Sequence, residues 1–266
     1  AHQGPWASLA PRRGRVIGSQ LMKRCAFLLL LAWAATAVAE DGPSPVDMRL
    51  AEAGDASAAS RLGHYYIGPN RNFTEAARWF RLAADSGLPV AQFQLATLLE
   101  MGWGVERNDV EAARLYRLAA ESGVAPAQCF LGIFFVVGRG VEKDFEQAAY
   151  WFRKAADQGN APSQSHLGVL YADGLGVTQD PSMALQLFGQ AADQGDASGL
   201  YRMGVSREEG LGGVHDLVEA YMYYQLAFER SNSLDYEKAR DRVASQLSPD
   251  DLNRALHLVV TWKANH

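Results

Sequence analysis

Six histidines and two cysteines are the side chains best suited to metal binding or nucleophilic chemistry in this 266-residue chain. Their spacing does not assemble a reaction centre. His64, His166, His215, His257 and His266 lie far apart, and no pair has the H-E-x-x-H or H-x-x-E-H spacing that puts two imidazoles on one helix face for zinc. No G-x-S-x-G elbow presents a serine nucleophile. Glycine pairs recur, as in Gly138-Arg139-Gly140, but no G-K-[ST] follows them, so a phosphate cradle is not indicated. Cys129 reads as a small buried hydrophobe before a redox group. Asn72-Phe73-Thr74 matches a glycosylation sequon, but Asn72 also stands where a helix needs a cap. These residues point to no catalytic group, metal or cofactor. The expected activity is binding.

The N-terminal segment bears on location. Residues 1 to 21 carry no helical or strand period. From Met22 the chain reads Lys23-Arg24, an apolar run from Ala26 to Ala35, then Ala37-Val38-Ala39. A basic start, a short apolar core and an A-x-A site are the layout of a secretory signal peptide. The run is too short to span a bilayer, which takes roughly 20 residues. The expectation is a start at Met22, cleavage after Ala39 and a periplasmic or secreted protein, with 1 to 21 an upstream extension and 40 to 53 a lead-in. Cys25 would leave with the signal. Residues 1 to 39 hold five basic residues and no acidic one, so removing them leaves 20 basic against 30 acidic residues, net −10. That balance disfavours nucleic acid, whose phosphates need a basic face.

The elements that would present a binding surface are repeated. Gly87, Gly123, Gly159 and Gly195 stand 36 residues apart, and Gly54 opens a copy three residues shorter. Within each copy comes a pair: Leu62-Gly63, Leu95-Ala96, Leu131-Gly132, Leu167-Gly168, Met203-Gly204. A small residue precedes it by four and, in the first four copies, a large apolar residue follows by four, which sets these residues on one helical face. Glycine costs about 1 kcal/mol against alanine inside a helix, so its recurrence at Gly63, Gly132, Gly168 and Gly204 implies close helix contact. A glycine turn comes next, at Gly102 and Gly104, Gly138 and Gly140, Gly174 and Gly176. Then comes a helix cap: Asn72, Asn108, Asp144, Asp180, Asp216. A second helix follows with the stripe Ala148, Trp151, Phe152, Ala155, Ala156, at i, i+3, i+4, i+7, i+8.

Neither helix can bury its stripe alone, but stacked hairpins can. The expected fold is all-α: a right-handed superhelical solenoid of helix-turn-helix units at 54–86, 87–122, 123–158, 159–194 and 195–230. Residues 231 to 266 would form capping helices. Leu252, Leu256, Val259 and Val260 are the expected apolar face of the last.

The pattern A-x-x-x-L-G-x-x-Y, then G-x-G-V, then D, then A-x-x-W-F-x-K-A-A-x-x-G resembles Sel-one-like repeats, relatives of the tetratricopeptide repeat. Residues 127 to 159 follow it most closely. The first copy departs at Gly68-Pro69-Asn70-Arg71, and the fifth replaces the tyrosine by Arg207. The resemblance implies a non-catalytic scaffold or adaptor that binds a protein partner and regulates an envelope complex or signalling protein. The alternative it carries is an envelope enzyme or accessory factor in cell-wall turnover, since some relatives bear a β-lactamase label. Those relatives have cysteine-paired repeats, which this chain lacks.

In such repeats ligands lie against the first helices. Register then picks Phe93, Thr97 and Glu100, Cys129, Ile133 and Val136, Ser165, Val169 and Ala172, and Tyr201, Val205 and Glu208. Of these Phe93, Cys129, Ile133, Val136, Val169 and Tyr201, with the adjoining Val137, are the nominated partner contacts. The segment 129 to 137 is apolar all round. It is either a core helix or a face that waits for a partner.

Overall fold

A computed structural model describes residues 42–68 and 71–266. The expected signal segment, and Pro69 and Asn70 of the first turn, lie outside the described residues. Among the described residues there are thirteen α-helices and no strand.

Two compact units divide at Asp144 and Phe145, between the two helices of the third repeat. The first holds α1 (Pro45–Glu52), α2 (Ala56–Ile67), α3 (Phe73–Asp85), α4 (Pro89–Met101), α5 (Asp109–Glu121) and α6 (Ala125–Val137). The second holds α7 (Phe145–Ala156), α8 (Ala161–Asp173), α9 (Pro181–Asp193), α10 (Ala197–Glu209), α11 (Leu217–Ser231), α12 (Leu234–Ala244) and α13 (Pro249–Asn265). From α1 to α6 in the first unit and from α7 to α12 in the second, each helix packs on the next in chain order, the solenoid packing of tandem helical hairpins. At the end of the second unit both α12 and α13 pack on α11.

The second helices start where a side chain can replace the missing backbone acceptor. Asn72 accepts from the Glu75 amide at 3.1 Å and Asn108 from the Glu111 amide at 3.0 Å. Asp180 accepts from the Ser182 and Met183 amides, and Asp216 from those of Val218 and Glu219. Asp144 directly precedes α7. The stripes are the core: Ala76, Trp79, Phe80, Ala83 and Ala84 of α3 are all buried, as are Ala148, Trp151, Phe152, Ala155 and Ala156 of α7.

The helical glycines make the close contacts their cost implied. A Cβ on Gly63 would sit 2.5 Å from the Phe80 ring, on Gly168 2.6 Å from Phe188, and on Gly204 2.7 Å from Tyr224. The turn glycines do two jobs. Gly138 ends α6 at φ 69°, a left-handed cap that a side chain would strain. Gly140 instead lies against the backbone of Asp109 and Val110, at the start of the preceding repeat's second helix, where a Cβ would overlap the Asp109 carbonyl. Gly104 meets Phe73 and Thr74 in the same way, and Gly176 meets Phe145 and Glu146.

One expected face is corrected. On α13, Ala255 and Val259 are buried, whereas Leu256 is 44% and Val260 65% exposed. The array takes the row of Ala255 and Val259 and leaves Leu256 and Val260 outside.

Candidate partner-binding surface

Of the groups suited to chemistry, His64, His166 and Cys129 are engaged in packing, while His215 and His257 are exposed. His64 Nδ1 lies 2.9 Å from the Ser60 carbonyl, and burial holds its pKa below the ordinary histidine value. His166 stacks on Phe152 at 5.1 Å, and burial, helped by nearby Arg202, pushes its pKa down to about 4. Cys129 is buried. Among the described residues no three His, Cys, Asp or Glu side chains are grouped to hold a metal ion.

The seven nominated contacts divide between core and surface. Phe93 lies in an aromatic cluster, 5.8 Å from Tyr116 and 5.9 Å from Phe130, and is buried like Cys129. In the first unit Ile133 and Val136 are half-buried and Val137 is 54% exposed. All three share the C-terminal half of α6, so the structure brings them together. In the second unit Val169 on α8 and Tyr201 on α10 are half-buried. Tyr201 stacks on Tyr236 of α12 at 4.5 Å. The segment read as apolar all round is therefore mostly core, with an apolar edge at its end.

The last residue of the first helices differs in chemistry between the units. Where the first unit has Met101 and Val137, the same register in the second unit has Asp173 and Glu209. Burial raises the pKa of both carboxyls, and Arg202 opposes the rise. The Arg202 Nε is itself buried and lacks a hydrogen-bond partner among the described residues.

A polar arrangement that repeat-by-repeat reading missed occurs twice. In the first unit the Tyr116 hydroxyl donates to Glu100 Oε2 at 2.8 Å and lies 3.2 Å from Thr97 Oγ1. Arg139, from the glycine turn of the next repeat, donates to Glu100 Oε1 at 2.6 Å. The Glu100 side chain is fully buried, and Arg139 packs 5.5 Å from the Phe134 ring. Burial raises the Glu100 pKa above the ordinary glutamate value, against the lowering effects of Tyr116 and Arg139. In the second unit Tyr224 donates to Glu208 Oε2 at 2.6 Å, and Arg242 of α12 holds Glu208 with two bonds of 3.0 and 2.7 Å.

The sequence did hold a signal for this. At the tyrosine position the five copies read Phe80, Tyr116, Phe152, Phe188, Tyr224. At the glutamate position they read Ile67, Glu100, Val136, Ala172, Glu208. Tyrosine occurs only opposite glutamate, because a buried carboxylate needs donors and a buried hydroxyl needs an acceptor.

Among the described residues no helix is long and apolar enough to cross a membrane. No curated protein matches the chain. Among solved structures it is similar to c5321, a protective antigen present in uropathogenic Escherichia coli strains displaying an SLR fold, with TM-score 0.75 and 30% identity over 81% of this chain. The chain spans about half of that structure's length, 47%. It is also similar to a Sel1 repeat protein from Oxalobacter formigenes, with TM-score 0.68 and 26% identity over 80% of this chain and 95% of that one. The Sel1 repeat family matches at residues 56–88, 89–124, 125–160, 161–196 and 197–232. Proteins built from these repeats are generally protein-interaction scaffolds. Five repeats in tandem over two-thirds of the sequence, on a fold shared with solved relatives, place the chain in the Sel1 repeat family.

Proposed function

We propose that this protein is an exported, periplasmic scaffold that holds a protein partner against the first helices of its repeats and so regulates an envelope complex. The observation that carries the reading is the apolar edge of α6, where half-buried Ile133 and Val136 adjoin the 54% exposed Val137. A side chain of that size gains by leaving water, about 25 cal/mol for each Å² buried. Its neighbours in the helix are already fixed by the core, so little ordering remains for a partner to impose. Export rests on the basic-apolar-A-x-A pattern of residues 22 to 39. The description of c5321 as a protective antigen is in keeping with it. In the second unit Val169 and Tyr201 are the corresponding candidate contacts of that unit alone.

The test is affinity capture from envelope extracts with the wild type, Val136→Asp/Val137→Asp and Val169→Asp. We expect one protein at constant stoichiometry with the wild type, lost with the double variant while the helical circular dichroism is unchanged. Equal recovery by all three proteins overturns the contact. A chain found with the cytoplasmic fraction after expression from Met22 overturns the location.

A further inference from the structure

Three second helices carry an arginine at one register: Arg81 on α3, Arg117 on α5 and Arg153 on α7. The matching position in the first helix of the next repeat holds Leu99, Phe135 and Tyr171. In the second unit this pair is closed. Arg153 donates to the Tyr171 hydroxyl at 2.7 Å and sits 5.9 Å from its ring. In the first unit the aromatic ring is kept and the hydroxyl is gone. Arg117 lies 5.4 Å from the Phe135 ring and, among the described residues, makes no hydrogen bond or ion pair. A guanidinium holds its N–H donors in a fixed fork and has no acceptor of its own.

That fork borders an open cleft of about 500 Å³, lined by Arg117, Phe135, Val141, Glu142, Lys143 and Asp144. All six belong to the first unit. Phe135 is buried and Arg117 half-buried, so the cleft has a firm apolar wall beside its guanidinium. The volume falls in the range of small-ligand sites. The charges of the lining cancel, two basic against two acidic. A dianion such as phosphate therefore meets no excess of positive charge. A carboxylate is planar, carries one charge and offers two acceptors to two N–H groups, which matches the fork.

We propose that the cleft beside Arg117 binds a carboxylate on an apolar stem, which supplies to Arg117 the acceptor that the Tyr171 hydroxyl supplies to Arg153. The carboxylate bridges two guanidinium N–H groups, and the stem lies along Phe135 and Val141. The same chemistry is offered by a free organic acid and by a glutamate side chain of a protein. One bidentate contact in an open cleft is weak, with a Kd of about 1 mM.

Nuclear magnetic resonance titration of the full chain tests this through the Arg117 Nε–H signal, identified by its loss in Arg117→Met. The probes are 3-phenylpropionate, the blocked peptide acetyl-Ala-Glu-Ala-amide and inorganic phosphate. A saturable shift is expected with the carboxylates, and phosphate should bind more than about fivefold more weakly. A shift with phenylpropionate alone identifies a free acid as the ligand; a shift with the peptide identifies a protein side chain. Phe135→Tyr places a hydroxyl where Tyr171 has one and should weaken carboxylate binding more than about fivefold. Arg117→Met should abolish the shift of the Val141 backbone amide while the helical circular dichroism is unchanged. The proposal is overturned if neither carboxylate shifts Arg117, or if phosphate binds as well. Binding that survives in Arg117→Met, or that is undiminished in Phe135→Tyr, overturns it too.

Discussion

The two units contain the same tyrosine-glutamate-arginine contact, sunk to different depths. The Glu100 side chain has no exposure and its Arg139 partner 23%; Glu208 has 17% and Arg242 56%. In the first unit the contact joins consecutive repeats, because Arg139 comes from the next copy's turn. In the second it joins the last repeat to α12. The chemistry is identical and the solvent is not. A pair shielded from water interacts strongly but leaves a costly orphan when broken, while an exposed pair is screened on both counts. The same residues should therefore count for much in one place and little in the other.

The sharpest test removes each arginine. Arg139→Ala strands a fully buried carboxylate and should cost about 3 kcal/mol, the scale for breaking a buried pair. It should register in urea melts as a lower midpoint at unchanged slope. Arg242→Ala should cost no more than about 1 kcal/mol. Equal losses would mean that depth is not what separates the two contacts.

Acidity should part the units in opposite senses. His166, in the second, has a folded pKa of about 4 against 6.5 unfolded. The unfolded chain takes up the proton more readily, so stability is lost as pH falls from 6.5 towards 4, by up to about 3 kcal/mol. His166→Leu should flatten that loss. Glu100, in the first, is shifted upward. Its folded form holds the proton better, so its contribution improves as pH falls through the raised value towards the ordinary 4.5. Glu100→Gln should remove that gain. Thermal melts from pH 7 to pH 4.5 on wild type and both variants give each slope by difference.

Tyrosine to phenylalanine is the subtler probe. Tyr116→Phe takes a donor from a carboxylate with no access to water and should cost about 2 kcal/mol. Tyr224→Phe leaves Glu208 with two bonds from Arg242 and some water, and about 1 kcal/mol is expected. The comparison weakens if both variants melt together.

Much of the fold was legible because it is local and repeated. The 36-residue spacing, the caps from Asn72 to Asp216 and the stripe at Trp151 and Phe152 each lie within one hairpin, and each recurs. What escaped was what joins one repeat to another. Glu100 and Arg139 are 39 residues apart and belong to different copies, so neither repeat alone shows the pair. Gly140 was legible as a turn residue but not as a surface pressed on Asp109. The surface nominations strained for a related reason. Register alone cannot say whether Phe93 turns towards Tyr116 and Phe130 or towards solvent. On α13, two apolar rows one residue apart both fit a helix. The choice fell to α11, which takes the row of Ala255 and Val259 and leaves Leu256 exposed.

The glycine pressed on the preceding repeat also acts as a length gauge. From Phe73 to Gly104, Asp109 to Gly140 and Phe145 to Gly176 the interval is 31 residues each time. A single residue gained or lost inside that interval would slide the glycine off its seat and drive a side chain into backbone. Excising a whole 36-residue rung would re-create the seat at the new junction. The first copy's turn, three residues shorter, sits on no earlier repeat among the described residues and is released from the gauge. At these three joints the array can thus change reach only in whole rungs, and the rule is enforced by one missing methyl group at each; Gly212 of the fifth copy meets the Leu185 side chain instead and is outside the rule.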